Sequence, residues 1–302
     1  MKSIALALLL ALSACVEMPS TPQRDTDQPL RIATWNMEHL AERDGEGCRP
    51  RVEADYVTMR RYATELGADL VAFQEVESKA AAERVFPRDA WTVVIEDRSA
   101  GAQGSCRGLP GQVLRAQKVG YAIRNGIAFE RNADLRELGL GNDGLRWGVD
   151  VTVNGDKPLR LLSVHLKSGC NSGRAATDRD CDVLFAQLPV LERWIDARAT
   201  EAAPFAVLGD WNRRVASRGD AFWAQIDDAE PANADLTLAA GKEGATCKAK
   251  YSEFIDHIAL DARASKQAVR GSFAEYTYGV PEIQHPSDHC PVSVTIMPAP
   301  AH

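Results

Sequence analysis

The stretch VLGDWNRR, at residues 207–214, places two polar side chains at the end of an apolar run. Asp210 and Asn212 stand two residues apart, so they share a face wherever the chain is extended. A hydrophobic core does not accommodate an unpaired carboxylate beside an unpaired amide, whereas hard cations are bound by such oxygen-bearing groups. The spacing therefore predicts a metal or phosphate site at the carboxyl end of a buried strand.

Five further apolar runs also end in side chains that bind metals or transfer protons. They deliver Asn36 and Glu38 in TWNMEHL, Gln74 and Glu75 in LVAFQEVE, His165 in LLSVHLKSGC, Asp256 in FIDHIALD, and Asp288 with His289 in PSDHCPVSV. Any one of them has an ordinary explanation, because Asn and Asp often form turns after strands and a single His is often structural. Six such endings in one chain predict that these side chains converge on one site.

The residue types in these endings suit the hydrolysis of a phosphate ester. That reaction requires charge to be neutralised on the nonbridging oxygens, a water to be deprotonated and the leaving oxygen to be stabilised. Carboxylates such as Glu75, Asp210 and Asp288 are the ligands that Mg²⁺ or Mn²⁺ prefers. The chemistry therefore indicates a metal-dependent phosphoesterase.

The order of the motifs WN, QE, SVH, GDWN, IDH and SDH resembles that of the endonuclease/exonuclease/phosphatase superfamily, the deoxyribonuclease-I-like metal-dependent phosphoesterases. The resemblance extends over residues 31–296, and GDWN and SDH are its most specific motifs. It implies an α/β fold, a four-layered sandwich in which two central mixed, mostly antiparallel β-sheets are flanked by helices. It also implies one active site at the edge where loops from both sheets converge.

The same resemblance implies a metal site and a phosphate-binding amide. Asn36, Glu75 and Asp288 correspond to metal ligands, and Asp210 corresponds either to a further ligand or to the base that activates water. Asn212 resembles the amide that holds the substrate phosphate or the attacking water. The implied cofactor is Mg²⁺ or Mn²⁺, with Ca²⁺ in a structural role as the alternative.

The resemblance also implies a proton-transfer pair. His289 resembles the catalytic histidine and Asp256 the carboxylate that orients it, which would fix the tautomer facing the phosphate. His165 matches a second histidine in the branch that includes secreted deoxyribonucleases, and Arg146 resembles a phosphate-contacting arginine. The expected catalytic residues are His165, Asp210, Asn212, Asp256 and His289.

Other polar residues lack this support. No motif includes His39, His285 or His302, and His257 alternates away from Asp256, which favours a structural role. For Glu38, the sequence leaves two alternatives: a residue that contacts the site residues, or a surface residue. We therefore leave these residues out of the expected site.

The elements that must position the site are short strands with few helices. Two helices are predicted by apolar spacing, from Arg51 to Leu66, where Gly67 ends the pattern, and from Asp182 to Ala199, with Pro189 inside. The Asn-Gly of VNGDKP, at residues 153–158, predicts a hairpin turn. Strands are expected at residues 31–36, 70–76, 91–97, 119–124, 147–153, 159–166, 205–212, 254–261 and 291–296. No repeat or linker divides the chain, so residues 30–298 are expected to form one domain.

The first fifteen residues, MKSIALALLLALSAC, read as a secretory signal rather than a membrane span. The ending LSAC resembles a bacterial lipobox, so we expect lipidation at Cys15, followed by a flexible tether over residues 16–29. The alternative is a plain signal peptide that is cleaved nearby. The expected location is the bacterial cell envelope, as an outer-membrane lipoprotein or a periplasmic or extracellular protein, with the lipid anchor as the membrane contact.

Six cysteines follow Cys15, and an even number in an exported chain predicts disulfides. Six cysteines allow fifteen pairings. Proximity favours Cys170–Cys181, and the neighbouring site strands favour Cys247–Cys290. By elimination, Cys48–Cys106 is the third pair.

Composition leaves three functions open. The chain of 302 residues is 45% hydrophobic and 25% charged, with a formal net charge of −7, so binding of nucleic acid through bulk positive charge is disfavoured. A divalent metal would supply positive charge locally, which favours a secreted or lipid-anchored nuclease acting on nucleic acid. The alternatives are a phosphatase, sphingomyelinase or inositol-phosphate hydrolase of the same fold, and a non-catalytic surface lipoprotein. The sequence leaves the oligomeric state undetermined.

Overall fold

The computed structural model describes residues 28–99, 104–155, 157–173, 179–231 and 234–297. The predicted signal peptide, the lipidation site Cys15 and most of the predicted tether lie outside the described residues. Among the described residues, the five α-helices are α1 (Glu53–Glu65), α2 (Lys79–Glu83), α3 (Arg179–Ala199), α4 (Trp223–Ile226) and α5 (Ala262–Gln267). The twelve strands are β1 (Leu30–Leu40), β2 (Leu70–Val76), β3 (Trp91–Ile95), β4 (Lys118–Arg124), β5 (Phe129–Arg131), β6 (Val149–Val153), β7 (Leu159–His165), β8 (Phe205–Asp210), β9 (Leu236–Leu238), β10 (Asp256–Asp261), β11 (Ala274–Glu275) and β12 (Val292–Ile296).

The strands form two mixed six-stranded sheets. The first has the order β11-β12-β1-β2-β4-β3, and the second has the order β5-β6-β7-β8-β10-β9. Each sheet has one parallel pair at its centre, β1 with β2 and β7 with β8, while every other neighbouring pair is antiparallel. Because parallel strands point the same way, each pair delivers two strand ends to one edge of its sheet.

The sheets face each other across an apolar layer. Alternate side chains of β8 illustrate the arrangement, since Ala206 and Leu208 point into the layer between the sheets. Phe205 and Val207 point outward against α3. The outer face of the first sheet, including Trp35 of β1, is covered by α1 and α2. The result is the four-layered α/β sandwich that the sequence predicts.

The crossover helices form where the apolar spacing predicts them, although their first residues differ. Helix α1 begins at Glu53 because Val52 takes an extended conformation and its backbone N–H donates to the Asp55 carboxylate. Helix α3 begins before the expected Asp182, and Pro189 lies within it. Both helices bury their apolar stripes against a sheet, and each connects the two strands of a parallel pair.

All nine expected strands are present, and the differences lie at the ends of strands and in short strands at the edges of the sheets. The predicted strands at 31–36 and 205–212 correspond to β1 and β8, but β1 continues to Leu40 and β8 ends at Asp210. The three short strands β5, β9 and β11 were not expected, because a run of two or three residues carries no periodic signal.

Three disulfides hold the loops around this framework. They join Cys48 to Cys106, Cys170 to Cys181 and Cys247 to Cys290, the same pairs that the sequence favours. None of the helices in the described part of the chain has both the length and the apolar character needed to span a membrane.

Candidate active site

Four of the predicted site residues lie at the carboxyl ends of the two parallel pairs. Asn36 lies on β1 and Glu75 on β2, while His165 ends β7 and Asp210 ends β8. His165 and Asp210 are direct neighbours in the register of β7 with β8. The stacked sheets bring the four side chains together, because the ends of both pairs lie at the same edge of the sandwich.

Asp210 lies at the centre of this group and is almost completely buried. Its Oδ2 accepts a hydrogen bond from Asn36 Nδ2 at 2.9 Å, and its Oδ1 accepts one from the backbone N–H of Asn212 at 2.8 Å. The same Oδ2 lies 3.5 Å from His165 Nε2 and 3.8 Å from His289 Nε2. A single carboxylate therefore touches residues from both sheets.

Burial, together with the negative charge of the neighbouring Asp256 carboxylate, raises the pKa of Asp210 to about 7, although His289 and the hydrogen bonds from Asn36 and Asn212 oppose the rise. A carboxyl group with this pKa exchanges a proton readily near neutral pH. Asp210 can therefore act as a base, and its charged form is one that a cation would stabilise.

His289 and Asp256 form the predicted proton-transfer pair. His289 Nδ1 lies 2.6 Å from Asp256 Oδ2, and Asp256 is paired with Asp210 in the register of β10 with β8. Burial of His289 opposes its protonation, but Asp256 and Asp210 outweigh burial and raise the pKa of His289 well above the ordinary value. The imidazole is therefore cationic at neutral pH, with its Nε2–H aimed toward Asp210.

His165 has the opposite electrostatic character. Burial, together with the positive charge of Arg146, lowers the pKa of His165 well below the ordinary value. Its Nε2 lies between the two carboxylates, 3.5 Å from Asp210 Oδ2 and 3.7 Å from Glu75 Oε1. Nδ1 of His165 has no hydrogen-bond partner among the described residues. The site thus contains one neutral and one cationic histidine.

Glu75 is turned toward the site by an irregularity in β2. Its φ is 60°, and the pairing of β2 with β1 and β4 shifts register around it. A positive φ is uncommon for a residue with a Cβ and is often found where function constrains the backbone. The backbone N–H of His39 donates to Glu75 Oε2 at 3.1 Å, while the preceding Gln74 is fully buried and bonds Thr34 instead.

Asp288 lies at the exposed rim of the site. Its Oδ1 is 3.8 Å from His289 Nε2, and its backbone N–H donates to Glu38 Oε2 at 2.8 Å. Burial, followed by the negative charge of Asp288, raises the pKa of Glu38, although Arg49 opposes the rise through an ion pair at 3.3 Å. Glu38 is therefore a partner of the site rather than a free surface residue.

The GDWN motif lies at the end of β8 and forms the part of the site around Asp210 and Asn212. A Cβ on Gly209 would lie 2.0 Å from the carbonyl oxygen of Val164, so only glycine allows β8 to approach β7 immediately before Asp210. Asn212 has a φ of 52° and donates from Nδ2 to the Leu166 carbonyl at 3.1 Å. Trp211, between the two polar residues, is buried in the outer core as the alternation predicts.

Arg146 lies beneath the site instead of reaching into solvent. It is buried, and it donates from Nε to the carbonyl of His165 at 3.2 Å and from Nη2 to that of Leu166 at 2.8 Å. Burial lowers the pKa of Arg146, while Glu75 and Asp210 oppose this change. The guanidinium therefore supplies positive charge behind the carboxylates and fixes the end of β7.

The chemistry of the donor set fits a hard divalent cation. Asn36, Glu75, Asp210 and Asp288 offer the oxygen atoms that Mg²⁺ and Mn²⁺ prefer. Asp210, Asp256 and His289 each also offer an atom within 4.8 Å of those of the other two. The raised pKa values of Asp210 and Glu38 show that burial and adjacent carboxylates make negative charge costly here. A bound cation would remove that cost.

Sequence reasoning missed two neighbours of the metal-ligand candidates. His39 Nδ1 lies 3.3 Å from Glu75 Oε2, although no motif includes His39. Ser287 Oγ donates to the Asn36 carbonyl at 2.6 Å and accepts from the backbone N–H of His289 at 3.1 Å. The sequence could have indicated both residues by their positions, since His39 closely follows Asn36 and Ser287 begins SDH.

His257 is structural as expected, because its Nε2 bonds the Arg213 carbonyl at 2.9 Å inside the protein.

A cleft of about 350 Å³ opens beside His289. Its walls include Asn212, Asp256, Asp288 and His289, so the Asp256–His289 pair is reachable from solvent. Arg214, Lys248 and Tyr251 also line it. Glu275 and Glu253 line it as well, and Glu253 pairs with Arg214 at 3.8 Å, so this wall carries both charges beside one aromatic ring.

Comparison with solved structures identifies the architecture. The catalytic domain of human Nocturnin, solved with a bound sulfate anion, has a TM-score of 0.60 at 16% identity over 88% of this chain and 92% of that one. The AP endonuclease of Leishmania major has a TM-score of 0.58 at 15% identity over 91% and 89%. The 3'-5' exonuclease NExo of Neisseria meningitidis has a TM-score of 0.55 at 16% identity over 89% and 100%.

This chain has the deoxyribonuclease-I-like fold. The structural neighbours are members of the endonuclease/exonuclease/phosphatase superfamily, as the order of the sequence motifs suggested. No protein-family model matches the sequence, and no curated protein matches it significantly. Within the deoxyribonuclease-I-like fold, the predicted residues of this chain occupy one edge of the sandwich, where both sheets contribute.

Proposed function

We propose that this protein is a divalent-metal-dependent phosphoesterase that hydrolyses phosphodiester bonds, most simply as a nuclease. The observation that carries the proposal is the contact of the Asp256–His289 pair with Asp210, in a group that also contains Asn36. An oriented acid, a carboxyl group that titrates near neutral pH and oxygen ligands for a cation are the groups that phosphate-ester hydrolysis requires.

The side chains suggest a division of labour. Asp210, with its pKa near 7, accepts a proton from the attacking water, and Asn212 orients that water or the phosphate. The cationic His289, held by Asp256, stabilises the phosphate and donates its Nε2 proton toward the leaving oxygen. A divalent cation held by Glu75 and the neighbouring oxygen donors would neutralise charge on the nonbridging phosphate oxygens.

Nucleic acid is the substrate that we propose first. The structural neighbours include an AP endonuclease and a 3'-5' exonuclease, which supports a nuclease. The cleft beside His289 adds Lys248, which suits a phosphate backbone, and Tyr251, which suits a base. Mg²⁺ or Mn²⁺ is the proposed cofactor because the offered ligands are oxygen atoms.

A substrate panel tests this proposal. The chain without residues 1–20 is incubated with plasmid DNA, RNA, bis-p-nitrophenyl phosphate or sphingomyelin, with Mg²⁺ or with chelator. Chelator-sensitive cleavage of DNA or RNA supports the nuclease. Turnover of sphingomyelin alone would replace the nuclease with a phospholipase C, and no turnover of any substrate would favour a non-catalytic binding protein.

We further propose that the protein is exported and lipidated at Cys15. The LSAC sequence supports this, and three disulfides suit an oxidising compartment. Labelled fatty acid should be incorporated into the wild-type protein in a bacterial host but not into Cys15→Ala. Equal incorporation into both proteins would rule out Cys15 as the lipidated residue.

A further inference from the structure

A second group of side chains that could hold a metal ion includes Cys290, the residue that follows His289. Cys247, His285 and Cys290 each offer one ligand atom, and these atoms lie within 4.8 Å of one another. Cys247 Sγ is 4.0 Å from His285 Nδ1. The two cysteines form a disulfide in the structure, so the group is closed to metal in this oxidation state.

The imidazole of His285 is already oriented as a ligand. Its Nε2 lies 3.0 Å from the Val280 carbonyl oxygen. Because a carbonyl can only accept, Nε2 carries the proton and the lone pair of Nδ1 faces the sulfurs. The ring is buried and packs edge-on against Tyr278, with centroids 5.0 Å apart. An outer hydrogen bond that fixes the tautomer is typical of metal-bound histidines.

We propose that reduction of the Cys247–Cys290 disulfide creates a site for one thiophilic divalent cation, Zn²⁺ or a chemical equivalent, bound by Cys247, Cys290 and His285. A dithiol or phosphine supplies the two electrons. The disulfide becomes two thiols while the reductant becomes a disulfide or a phosphine oxide, with the oxygen coming from water. The cation then binds both sulfurs and displaces the two thiol protons. This proposal is independent of the phosphoesterase proposal.

The backbone spacing suits this ligand set. Two sulfurs bound tetrahedrally at about 2.3 Å from zinc lie about 3.8 Å apart, so the sulfurs must separate after reduction. The two Cα atoms are 5.9 Å apart, a spacing from which side-chain rotation alone can provide the separation. Both cysteines also line the cleft beside His289, which gives the reductant and the ion an entry path.

Charge and ligand type separate this site from the carboxylate site. Two thiolates and a neutral imidazole cancel the charge of a divalent cation, so no net charge is placed beside the apolar cluster that surrounds Cys290. Thiolates favour Zn²⁺ over Mg²⁺, whereas the oxygen donors around Asp210 favour Mg²⁺. Three protein ligands leave a fourth coordination position open.

Cobalt is the probe ion for the test, because thiolate coordination gives it a charge-transfer absorption that oxygen coordination does not. The full chain is reduced with a phosphine under anaerobic conditions and titrated with Co²⁺, then with Zn²⁺ in competition. We expect the charge-transfer band to saturate with one ion per chain and to be displaced by Zn²⁺. The unreduced protein should show no such band.

Matched variants identify the ligands. Cys170→Ser/Cys181→Ser removes a different disulfide and should retain the band, whereas Cys247→Ser/Cys290→Ser should lose it. His285→Gln keeps both cysteines, forms the disulfide when oxidised and should bind the ion at least ~10-fold more weakly. A reduced wild-type protein without the band would overturn the proposal. So would a band that survives in Cys247→Ser/Cys290→Ser, or affinity unchanged in His285→Gln.

Discussion

Asp210→Asn should change stability in a pH-dependent way that follows from the burial of the carboxyl group. The folded protein holds the pKa of Asp210 at about 7, against an ordinary value of 3.8. The folded state therefore binds a proton more tightly than the unfolded chain does. The resulting stabilisation is present below about pH 4 and is lost as the pH rises through 7.

The size of the effect follows from the two pKa values. A difference of roughly three pH units corresponds to about 4 kcal/mol in the free energy of unfolding. Over the range from pH 5 to pH 8, the loss is about 2.6 kcal/mol. The amide introduced by Asp210→Asn would not titrate, but it keeps only one acceptor oxygen, so its NH2 group would meet either the Asn36 amide or the Asn212 backbone N–H, both of which now donate to Asp210. That mismatch costs roughly 1–3 kcal/mol at every pH.

Denaturant unfolding of the chelator-treated protein at pH 5 and pH 8 measures this effect. The free energy of unfolding of Asp210→Asn, measured relative to that of the wild type, should be about 2–3 kcal/mol higher at pH 8 than at pH 5. Asp256 remains the hydrogen-bond partner of His289 in both proteins. Glu130→Gln, on the exposed side of β5, controls for the loss of one carboxylate. If the stability difference between Asp210→Asn and the wild type is the same at pH 5 and at pH 8, the raised pKa of Asp210 is refuted.

Three other changes test the site and its framework. His289→Ala should lower kcat at least ~100-fold while the circular dichroism spectrum is retained; near-normal turnover would remove His289 from the mechanism. Asp256→Asn should lower kcat by a similar factor and move the alkaline limb of the pH–rate profile to lower pH, because Asp256 raises the pKa of His289; a profile that keeps its shape would contradict the pairing. Gly209→Ala should destabilise the protein by roughly 1–3 kcal/mol or more, since the new Cβ would lie 2.0 Å from a backbone oxygen; an unchanged unfolding midpoint would show that β7 and β8 can separate without cost.

A thiol titration tests the disulfides. Protein that has folded without reductant and is then denatured should show fewer than two reactive thiols. Six of its seven cysteines are paired, and only Cys15 is left over. Reductant should lower the unfolding midpoint, since each cross-link restricts the unfolded chain. A titration of six thiols after folding in air would contradict the pairing.

The strand ends could be predicted because their signal is local. An apolar run that closes on Asp210 or His165 is visible in a few consecutive letters, and alternation alone places Trp211 in the core. The helices were predicted to within a few residues for the same reason. The shortest strands could not be predicted, because pairing with a neighbouring strand defines them rather than periodicity.

The sequence by itself determined which residue types this protein brings to its site, and the order of its motifs indicated the fold. Only the tertiary structure decided the pKa shift of each group. Burial beside a second carboxylate, that of Asp256, gives Asp210 a pKa of about 7. The pKa of His165 is lowered by burial and by the nearby Arg146, whereas the pKa of His289 is raised because Asp256 and Asp210 outweigh its burial. Charge interactions and desolvation depend on distances across two stacked sheets, and no local stretch of sequence determines those distances.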